Sequence, residues 1–187
     1  VERGKKAFVG FQLHGGVLGV IGLGAIGVQV ANAAAALGMR VLGYDPQITV
    51  GHAWKLSANV EQATSIEEVL RRSDAVSLHV PLVAGTRGLI DAGRLALMKP
   101  KALLLNFSRA AIVDEEAVVD ALDRHKLRGY ICDFPSPLLN GHPAVVATPH
   151  LGASTGEAED NCAVMAAAQL HAYLANGDIT NSVNFPD

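Results

Sequence analysis

Arg109 and His150 each stand just past an apolar run of the sequence. Together they could bind a carboxylate and transfer a proton. The two-pronged guanidinium of an arginine pairs with a carboxylate through two parallel hydrogen bonds. A histidine titrates near neutral pH, so it can take or return a proton during a reaction. Their positions alone also fit roles without function. Arg109 could form a surface ion pair, and His150 could be a loop histidine hydrogen-bonded to the backbone.

The stretch VIGLGAIG points to a second kind of chemistry, the binding of a dinucleotide. Gly22, Gly24 and Gly27 have the G-x-G-x-x-G spacing, and Asp45 closes the next apolar run near the expected distance. The first glycine permits a tight turn, the second lets the backbone approach a pyrophosphate, and the third lets helix pack on strand. The alternative is a glycine turn with a packing role only and an Asp45 without function. It leaves unexplained why the glycine motif and Asp45 occur together at the expected spacing.

The same stretch indicates which dinucleotide binds. The free N–H groups of a helix beginning at Ala25 and Ile26 would face the phosphates. The Asp45 carboxylate would accept hydrogen bonds from both hydroxyls of the adenine ribose, and it would repel a 2′-phosphate. Pro46 and Gln47 follow it, so no arginine stands there to neutralise that phosphate. The sequence therefore favours NAD over NADP.

These residues need a scaffold in which strands and helices alternate. Continuous apolar runs predict strands at 17–21, 41–44, 75–79, 102–106, 130–133 and 144–147. Helical spacing after the glycine loop predicts an apolar face of Ile26, Val30, Ala33, Ala34 and Leu37. Capping residues predict the later helix starts, at Ser65 with Glu68, Asp91, Asp114, and Ser154 with Glu157. The last helix should end at Gly177.

Such alternation with short connections predicts an α/β fold of the Rossmann type, a doubly wound, mainly parallel sheet with helices on both faces. The least regular stretches are 45–64 and 134–143. In a sheet of this kind, ligands bind beyond the carboxyl ends of the strands. His79, Asn106, Asp133 and His150 stand at those ends, so we expect the site there.

The composition excludes several classes of partner. Half of the 187 residues are hydrophobic, and the net charge of −3 argues against nucleic acid and anionic membranes. No apolar run approaches the roughly 18 residues that a membrane helix needs. The two cysteines, Cys132 and Cys162, fit neither a metal-binding nor a disulfide spacing. We therefore expect a cytoplasmic protein that holds no metal.

Four linked motifs resemble those of the D-isomer-specific 2-hydroxyacid dehydrogenases, in that family's order and spacing. They are LGVIGLGAIG…GMRVLGYDP, SLHVPLVAGTRGLI, LMKPKALLLNFSRAAIVDEEAVVDAL and TPHLGAST. The resemblance covers essentially the whole chain, as the family's nucleotide-binding domain. Three further stretches, DFPSPLLNGHP, GEAEDNCAVMAAAQL and NGDITNSVNFP, are most similar to the D-3-phosphoglycerate dehydrogenase subfamily. We expect residues 1–187 to be one NAD-binding domain of a longer polypeptide, with substrate-domain segments before residue 1 and after residue 187.

The resemblance implies a role for each matching residue. Arg109 would bind the substrate carboxylate, and His150 would take the proton of the C2 hydroxyl while hydride passes to the nicotinamide. Asp133 would hold the nicotinamide side of the cofactor. The other cofactor-lining residues would be Gly22, Gly24, Ala25, Ile26, Gly27, Asp45, His79, Val80, Pro81, Thr86, Asn106, Phe107, Ser108, Gly152 and Ala153.

Two departures from the family pattern bear on this chemistry. The family usually has a glutamate a few residues after the aspartate at position 133, paired with the catalytic histidine, whereas 134–149 contains no Asp or Glu. A carboxylate partner favours the protonated imidazole. We therefore expect the acid limb of the pH–rate profile for oxidation to lie at lower pH than in relatives. The family's Arg-Gly-Gly is Arg109-Ala110-Ala111 here, a milder change.

The resemblance implies NAD-linked oxidation of a D-2-hydroxy acid, above all 3-phosphoglycerate, the step that opens serine biosynthesis. Another member of the family, acting on glycerate, glyoxylate or lactate, is the first alternative, and a non-catalytic NAD-sensing module is the second. The family also implies a homo-oligomer, a dimer or tetramer, and the apolar residues around Phe8, Val9 and Phe11 could form its contact. Alone, this chain should bind cofactor and turn over little or no substrate.

Overall fold

The computed structural model describes residues 10–182, which divide between Pro149 and His150 into two compact units. The first unit contains a parallel sheet with its helices, and the second contains a long helix. Each unit is described by itself. The predicted contact residues Phe8 and Val9 lie outside the described residues.

Within the first unit, seven parallel strands form one sheet in the order β3-β2-β1-β4-β5-β6-β7. They are β1 (Val17–Ile21), β2 (Arg40–Tyr44), β3 (Val60–Gln62), β4 (Ala75–Leu78), β5 (Ala102–Asn106), β6 (Leu127–Cys132) and β7 (Val145–Ala147). The chain runs outward from β1 to β3 and then returns to β4 on the other side of β1. This reversal opens a crevice at the carboxyl ends of β1 and β4. The predicted Rossmann-type parallel sheet is confirmed.

The helices of the described residues are α1 (Ala25–Ala36), α2 (Val50–Ala53), α3 (Ile66–Arg72), α4 (Ala92–Leu97), α5 (Glu115–Asp123) and, in the second unit, α6 (Gly156–Asn176). Within the first unit, helices cover both faces of the sheet. β1 sends Leu18 and Val20 into a cluster that contains α1 side chains, and Val17 and Ile21 into a cluster that contains α3, α4 and α5 side chains. Burial on both faces explains why the strands are continuous apolar runs rather than alternating ones.

Three helices begin where the sequence predicts, because a side chain at each start accepts a backbone hydrogen bond. The capping oxygens and their N–H donors are Ser65 with Glu68, Asp91 with Arg94, and Asp114 with Ala117. The predicted start of α6 is wrong by one residue, since Thr155 and not Ser154 accepts from the Ala158 N–H. Ser154 belongs instead to a turn in which its N–H donates to the Leu151 carbonyl. As predicted, Gly177 ends α6 in the left-handed region, with φ of 69°.

The predicted apolar face of α1 is only partly correct, since Ala34 is buried, Val30 is partly buried against the same cluster, and Ile26 and Leu37 are not. The residues that α1 buries are Gly27, Val28, Ala31 and Ala34, and of the five predicted core positions only Ala34 belongs to that set. Ile26 and Leu37 are 63% and 61% exposed. The close packing of Gly27 on the strand-to-helix turn sets which face meets the sheet, and helical spacing alone could not select it.

The stretch 45–64, predicted to be irregular, contains α2 and β3. β3 has three residues at the edge of the sheet, and its Glu61 and Gln62 are exposed. A short edge strand with polar side chains has no apolar run to reveal it. The other strands are confirmed with shifts of a few residues at their ends, so His79 and Asp133 directly follow β4 and β6.

Candidate active site

The three glycines after β1 differ in what fixes them. Gly22 has φ of 92°, and a Cβ there would lie 2.7 Å from the carbonyl carbon and oxygen of His79. A Cβ on Gly27 would overlap the carbonyl oxygen of Gly22. A Cβ on Gly24 would meet no heavy atom within 4 Å. Packing within the chain therefore requires glycine at the first and third positions, whereas the second is left open toward a ligand.

The N-terminus of α1 has no side-chain cap. Gly24 is the N-cap residue, it offers no side-chain acceptor to the N–H groups of the first turn, and no acidic residue lies in that turn. In α3 and α5, by contrast, a capping oxygen and two glutamates occupy the equivalent positions. Ala25 and Ile26 at the start of α1 are exposed. Such a helix end presents N–H groups and the positive end of the helix dipole to an anion.

Asp45 follows β2 and lies beside the glycine loop. Its Oδ2 accepts a hydrogen bond from the Leu23 N–H at 2.8 Å, and its Oδ1 accepts one from the Gln47 N–H at 2.8 Å. A cleft of about 210 Å³ begins at this carboxylate, and the apolar side chains of Leu23, Ile48 and Leu56 line it. The arrangement fixes one negative charge at the mouth of an apolar cleft, as ribose and base recognition requires.

The segment after β4 lies against the glycine loop. The Nε2 atom of His79 and the hydroxyl of Ser77 are 2.8 Å apart, and burial lowers the pKa of His79 below its ordinary value of 6.5. Thr86 folds the following loop, because its hydroxyl accepts from the Val83 N–H and donates to the Pro81 carbonyl. His79, Val80 and Pro81 thus form one wall of the crevice, with the backbone of His79 nearest to Gly22.

The loop after β5 is anchored by buried polar side chains. The Ser108 hydroxyl donates to the Leu78 carbonyl at 2.8 Å, which joins this loop to the end of β4. The Asn106 side chain accepts from the Ser108 N–H at 3.1 Å and donates to the Arg109 carbonyl at 3.0 Å. Asn106 and Ser108 are both buried, whereas Phe107 between them is 37% exposed. Of the predicted cofactor residues in this loop, Phe107 therefore presents its side chain outward, and the other two support the loop.

Arg109 is exposed, and its guanidinium rests on its own loop. One N–H donates to the Ser108 carbonyl at 2.7 Å, and the guanidinium carbon lies 5.5 Å from the centre of the Phe134 ring. Phe134 follows Asp133 at the end of β6, so the aromatic ring reaches the arginine from the neighbouring strand. Phe134 could not be identified from the sequence, because its contact with Arg109 joins residues far apart in the chain.

Tyr130 in β6 supports the same loop, and the sequence did not single it out either. It is fully buried in β6, and its hydroxyl oxygen accepts a hydrogen bond from the Asn106 amide at 3.2 Å. The sequence signal that could have identified Tyr130 is a phenolic hydroxyl within a mostly apolar strand. A buried hydroxyl requires a partner.

His150, Gly152 and Ala153 belong to the second unit. His150 is exposed and has φ of 54°, in the left-handed region. Histidine is one of the few side chains enriched there, and such conformations cluster at functional sites. The three residues lie in the segment before α6, which begins at Gly156 after the N-cap residue Thr155.

The structure thus brings the predicted residues of the first unit to the carboxyl ends of β1, β2, β4, β5 and β6, while the three predicted residues after Pro149 lie in the second unit. Among residues 10–182, no group of three or more His, Cys, Asp or Glu could hold a metal ion. No helix of that part of the chain has the length and apolar character needed to cross a membrane.

Comparison with known proteins gives consistent matches. The family model described as the D-isomer specific 2-hydroxyacid dehydrogenase, NAD binding domain, matches residues 2–152. D-3-phosphoglycerate dehydrogenase of Methanocaldococcus jannaschii is 40% identical over 100% of this chain and 36% of its own length. The Escherichia coli enzyme of that name is 38% identical over 98% of this chain and 46% of its own length.

Solved structures agree with the sequence matches. D-mandelate dehydrogenase of Rhodotorula graminis, in its apo form, superposes with a TM-score of 0.81 at 29% identity. That match covers 92% of this chain and 52% of the mandelate enzyme. This chain spans only about a third to a half of the length of the curated relatives above. These matches confirm the predicted fold, the predicted family and NAD as the predicted cofactor.

Proposed function

Because this chain belongs to the D-isomer specific 2-hydroxyacid dehydrogenase family as its NAD-binding domain, we propose that it is the cofactor-binding part of an enzyme that oxidises 3-phosphoglycerate. The observation that carries the reaction class is the match over residues 2–152, which includes the glycine loop, Asp45 and Arg109. The choice of substrate rests on the 40% identity to a D-3-phosphoglycerate dehydrogenase along the full chain.

The residues present fit NAD. The open space at Gly24 and the uncapped start of α1 suit a pyrophosphate, and the fixed carboxylate of Asp45 suits the ribose hydroxyls. His79, Val80, Pro81, Thr86 and Phe107 would line the rest of the cofactor site, together with Asp133, Gly152 and Ala153. When bound, NAD supplies the nicotinamide ring that accepts a hydride.

Arg109 would hold the substrate. A guanidinium offers five N–H donors, of which Arg109 uses one for the Ser108 carbonyl. A pair of the others can bind both oxygens of a 2-hydroxy acid's carboxylate. The Phe134 ring and the anchored loop limit how far the Arg109 guanidinium can move. A substrate carboxylate bound to it would therefore have a fixed position, and this would orient the C2 atom of the substrate.

His150 would act as the base. Oxidation of a 2-hydroxy acid to a 2-oxo acid removes two electrons and a proton as hydride from C2, and a second proton from the hydroxyl. The imidazole of His150 would take the hydroxyl proton, and in the reverse reaction it would return that proton to the carbonyl oxygen.

We also propose that residues 1–187 form one NAD-binding domain within a longer polypeptide. The match to only 36% and 46% of the lengths of two relatives supports this, since the remainder offers room for a substrate domain. The basic residues that recognise the phosphate of 3-phosphoglycerate would then lie partly outside this chain. We further propose a cytoplasmic dimer or tetramer, following the family resemblance.

Two other functions have some support. A different 2-hydroxy acid is favoured by the 29% identity to a D-mandelate dehydrogenase. Glycerate, lactate and glycolate, the hydroxy acid that corresponds to glyoxylate, are the acids to test first. A non-catalytic NAD-sensing module is favoured by the lack of an acid in 134–149.

The deciding experiment is a panel of D- and L-2-hydroxy acids, assayed with NAD on the complete gene product and on its Arg109→Ala variant. We expect the D enantiomers, with 3-phosphoglycerate at the head, to be oxidised by the wild type and far more slowly by the variant. Preference for another acid would keep the family chemistry and reject the substrate. No turnover of any acid, with biological activity intact in Arg109→Ala, would favour the sensing module.

A further inference from the structure

We propose that Tyr130 is a positioning residue for Arg109 and acts through the side chain of Asn106. This inference rests on the proposed function, since it assumes that Arg109 binds the substrate carboxylate. It concerns three side chains on the adjacent strands β5 and β6 and on the loop that follows β5.

The first link joins Tyr130 to Asn106. Both residues are 0% exposed, and the Asn106 Nδ2 atom donates to the Tyr130 hydroxyl at 3.2 Å. Burial raises the pKa of the Tyr130 phenol well above its ordinary value of 10.0, so the hydroxyl stays protonated and neutral. A neutral oxygen can remain the partner of the amide N–H at every pH at which the enzyme works.

The second link joins Asn106 to the backbone of the loop. The other N–H of the same Nδ2 atom can donate to the Arg109 carbonyl, 3.0 Å away, while Oδ1 accepts from the Ser108 N–H at 3.1 Å. One buried amide therefore holds two successive residues of the loop. Its orientation is set by the Tyr130 hydroxyl on one side and by the loop on the other.

The third link joins the backbone of the loop to the guanidinium. Arg109 donates from its guanidinium to the Ser108 carbonyl at 2.7 Å, so a shift of the Ser108 peptide also shifts the charged group. The Ser108 hydroxyl fixes the other side of that residue to the Leu78 carbonyl. A displacement of a few tenths of an ångström at Asn106 would thus be transmitted to the group that binds substrate.

Core packing alone does not account for the hydroxyl at position 130. A phenylalanine would fill nearly the same volume and would need no polar partner. Without the hydroxyl, one buried N–H of Asn106 would lose its acceptor, which is costly in an apolar surrounding. The amide would then rotate or draw in water, and the loop would lose the restraint on its geometry.

The test is Tyr130→Phe in the complete gene product, assayed with 3-phosphohydroxypyruvate, or with glyoxylate or pyruvate if one of these is the better substrate. We expect KM for the oxo acid to rise about 3- to 10-fold, the effect of losing one buried hydrogen bond. The Kd for NADH should remain unchanged, because no cofactor contact is altered. In an Arg109→Ala background, Tyr130→Phe should have no further effect on kcat/KM.

A matched control removes volume from the core without touching the polar network. Val118→Ala in α5 alters a fully buried apolar side chain. It should lower Tm and leave the ratio of the oxo-acid KM to the NADH Kd unchanged. The exchange rate of the Ser108 amide, measured by NMR, should rise in Tyr130→Phe and not in Val118→Ala.

The outcomes separate this inference from the proposed function. An active enzyme whose Tyr130→Phe variant keeps the wild-type KM would overturn the role of Tyr130 alone. The same holds if Tyr130→Phe lowers kcat/KM equally with and without Arg109, because its effect would then not pass through that residue. A wild-type protein that reduces none of these oxo acids would overturn the proposed function, and the role of Tyr130 with it.

Discussion

The Asp45 carboxylate accepts a 2.8 Å hydrogen bond from the backbone N–H of Leu23, and this bond ties the end of β2 to the glycine loop that follows β1. A second bond, from the Gln47 N–H to the other carboxylate oxygen, holds the charge in place. One negative charge therefore has a fixed position beside a loop that suits a pyrophosphate. We propose that this charge selects NAD over NADP.

The charge can be removed with little change of shape by Asp45→Asn. The amide oxygen can still accept the Leu23 N–H, whereas the bond from the Gln47 N–H and the repulsion of a 2′-phosphate are lost. We expect the preference for NADH over NADPH to fall by about tenfold, or about 1.4 kcal/mol. Calorimetric titration of both variants with both dinucleotides measures the preference. An unchanged ratio of Kd values would show that Asp45 does not select the cofactor.

Gly24 and Gly27 should respond to alanine in opposite ways. Gly24→Ala places its Cβ in open space, so we expect nearly unchanged Tm and a loss of at least about tenfold in NADH affinity, because the methyl group occupies the approach of the pyrophosphate. Gly27→Ala overlaps the Gly22 carbonyl oxygen, so we expect a loss of about 1–3 kcal/mol of stability. Thermal unfolding and NADH titration of each variant make the comparison. Equal destabilisation by both would contradict it.

His150 should be replaceable without unfolding the chain. Asparagine also tolerates the left-handed backbone, so His150→Asn keeps the conformation at φ of 54° and removes the imidazole that we propose as the acid–base group. We expect kcat to fall about 10²- to 10⁴-fold in the complete gene product, with the NADH Kd unchanged.

A matched control for that substitution is His125→Asn. His125 is exposed, has φ of 55° and ends the turn after α5. It should leave kcat unaltered. If both variants lose activity equally, backbone conformation rather than proton transfer would be the cause.

The stability of the cofactor-free protein should depend on pH through His79. Burial lowers the pKa of His79 below 6.5, so the unfolded chain takes up a proton at a higher pH than the folded chain. Stability is therefore unaffected above that value and falls as pH decreases through it. Between about pH 7.5 and about pH 5.5, the wild type should lose more Tm than His79→Gln. Parallel Tm curves for the two proteins would refute this contribution.

Local signals predicted the helix starts well. Ser65, Asp91 and Asp114 cap their helices through contacts that span three residues, and such contacts are visible in sequence. Features that depend on the tertiary packing were not visible. The face of α1 is set by the fit of Gly27 against Gly22, and β3 exists because a neighbouring strand pairs with it.

Some residues of the candidate site could likewise be predicted from the sequence, and others could not. The glycine loop and its acid were readable because the chemistry requires fixed spacings along the chain. Tyr130 and Phe134 were missed, since each reaches the Arg109 loop from the neighbouring strand β6 or its end. Register between strands decides these contacts, and a single sequence does not give it.

The most direct test of the NAD site is a calorimetric titration of this chain with NADH and then with NADPH. We expect saturable binding of NADH at least about tenfold tighter than that of NADPH, a gap of about 1.4 kcal/mol. Binding of neither dinucleotide, or tighter binding of NADPH, would contradict the assignment of the glycine loop and Asp45 as an NAD site.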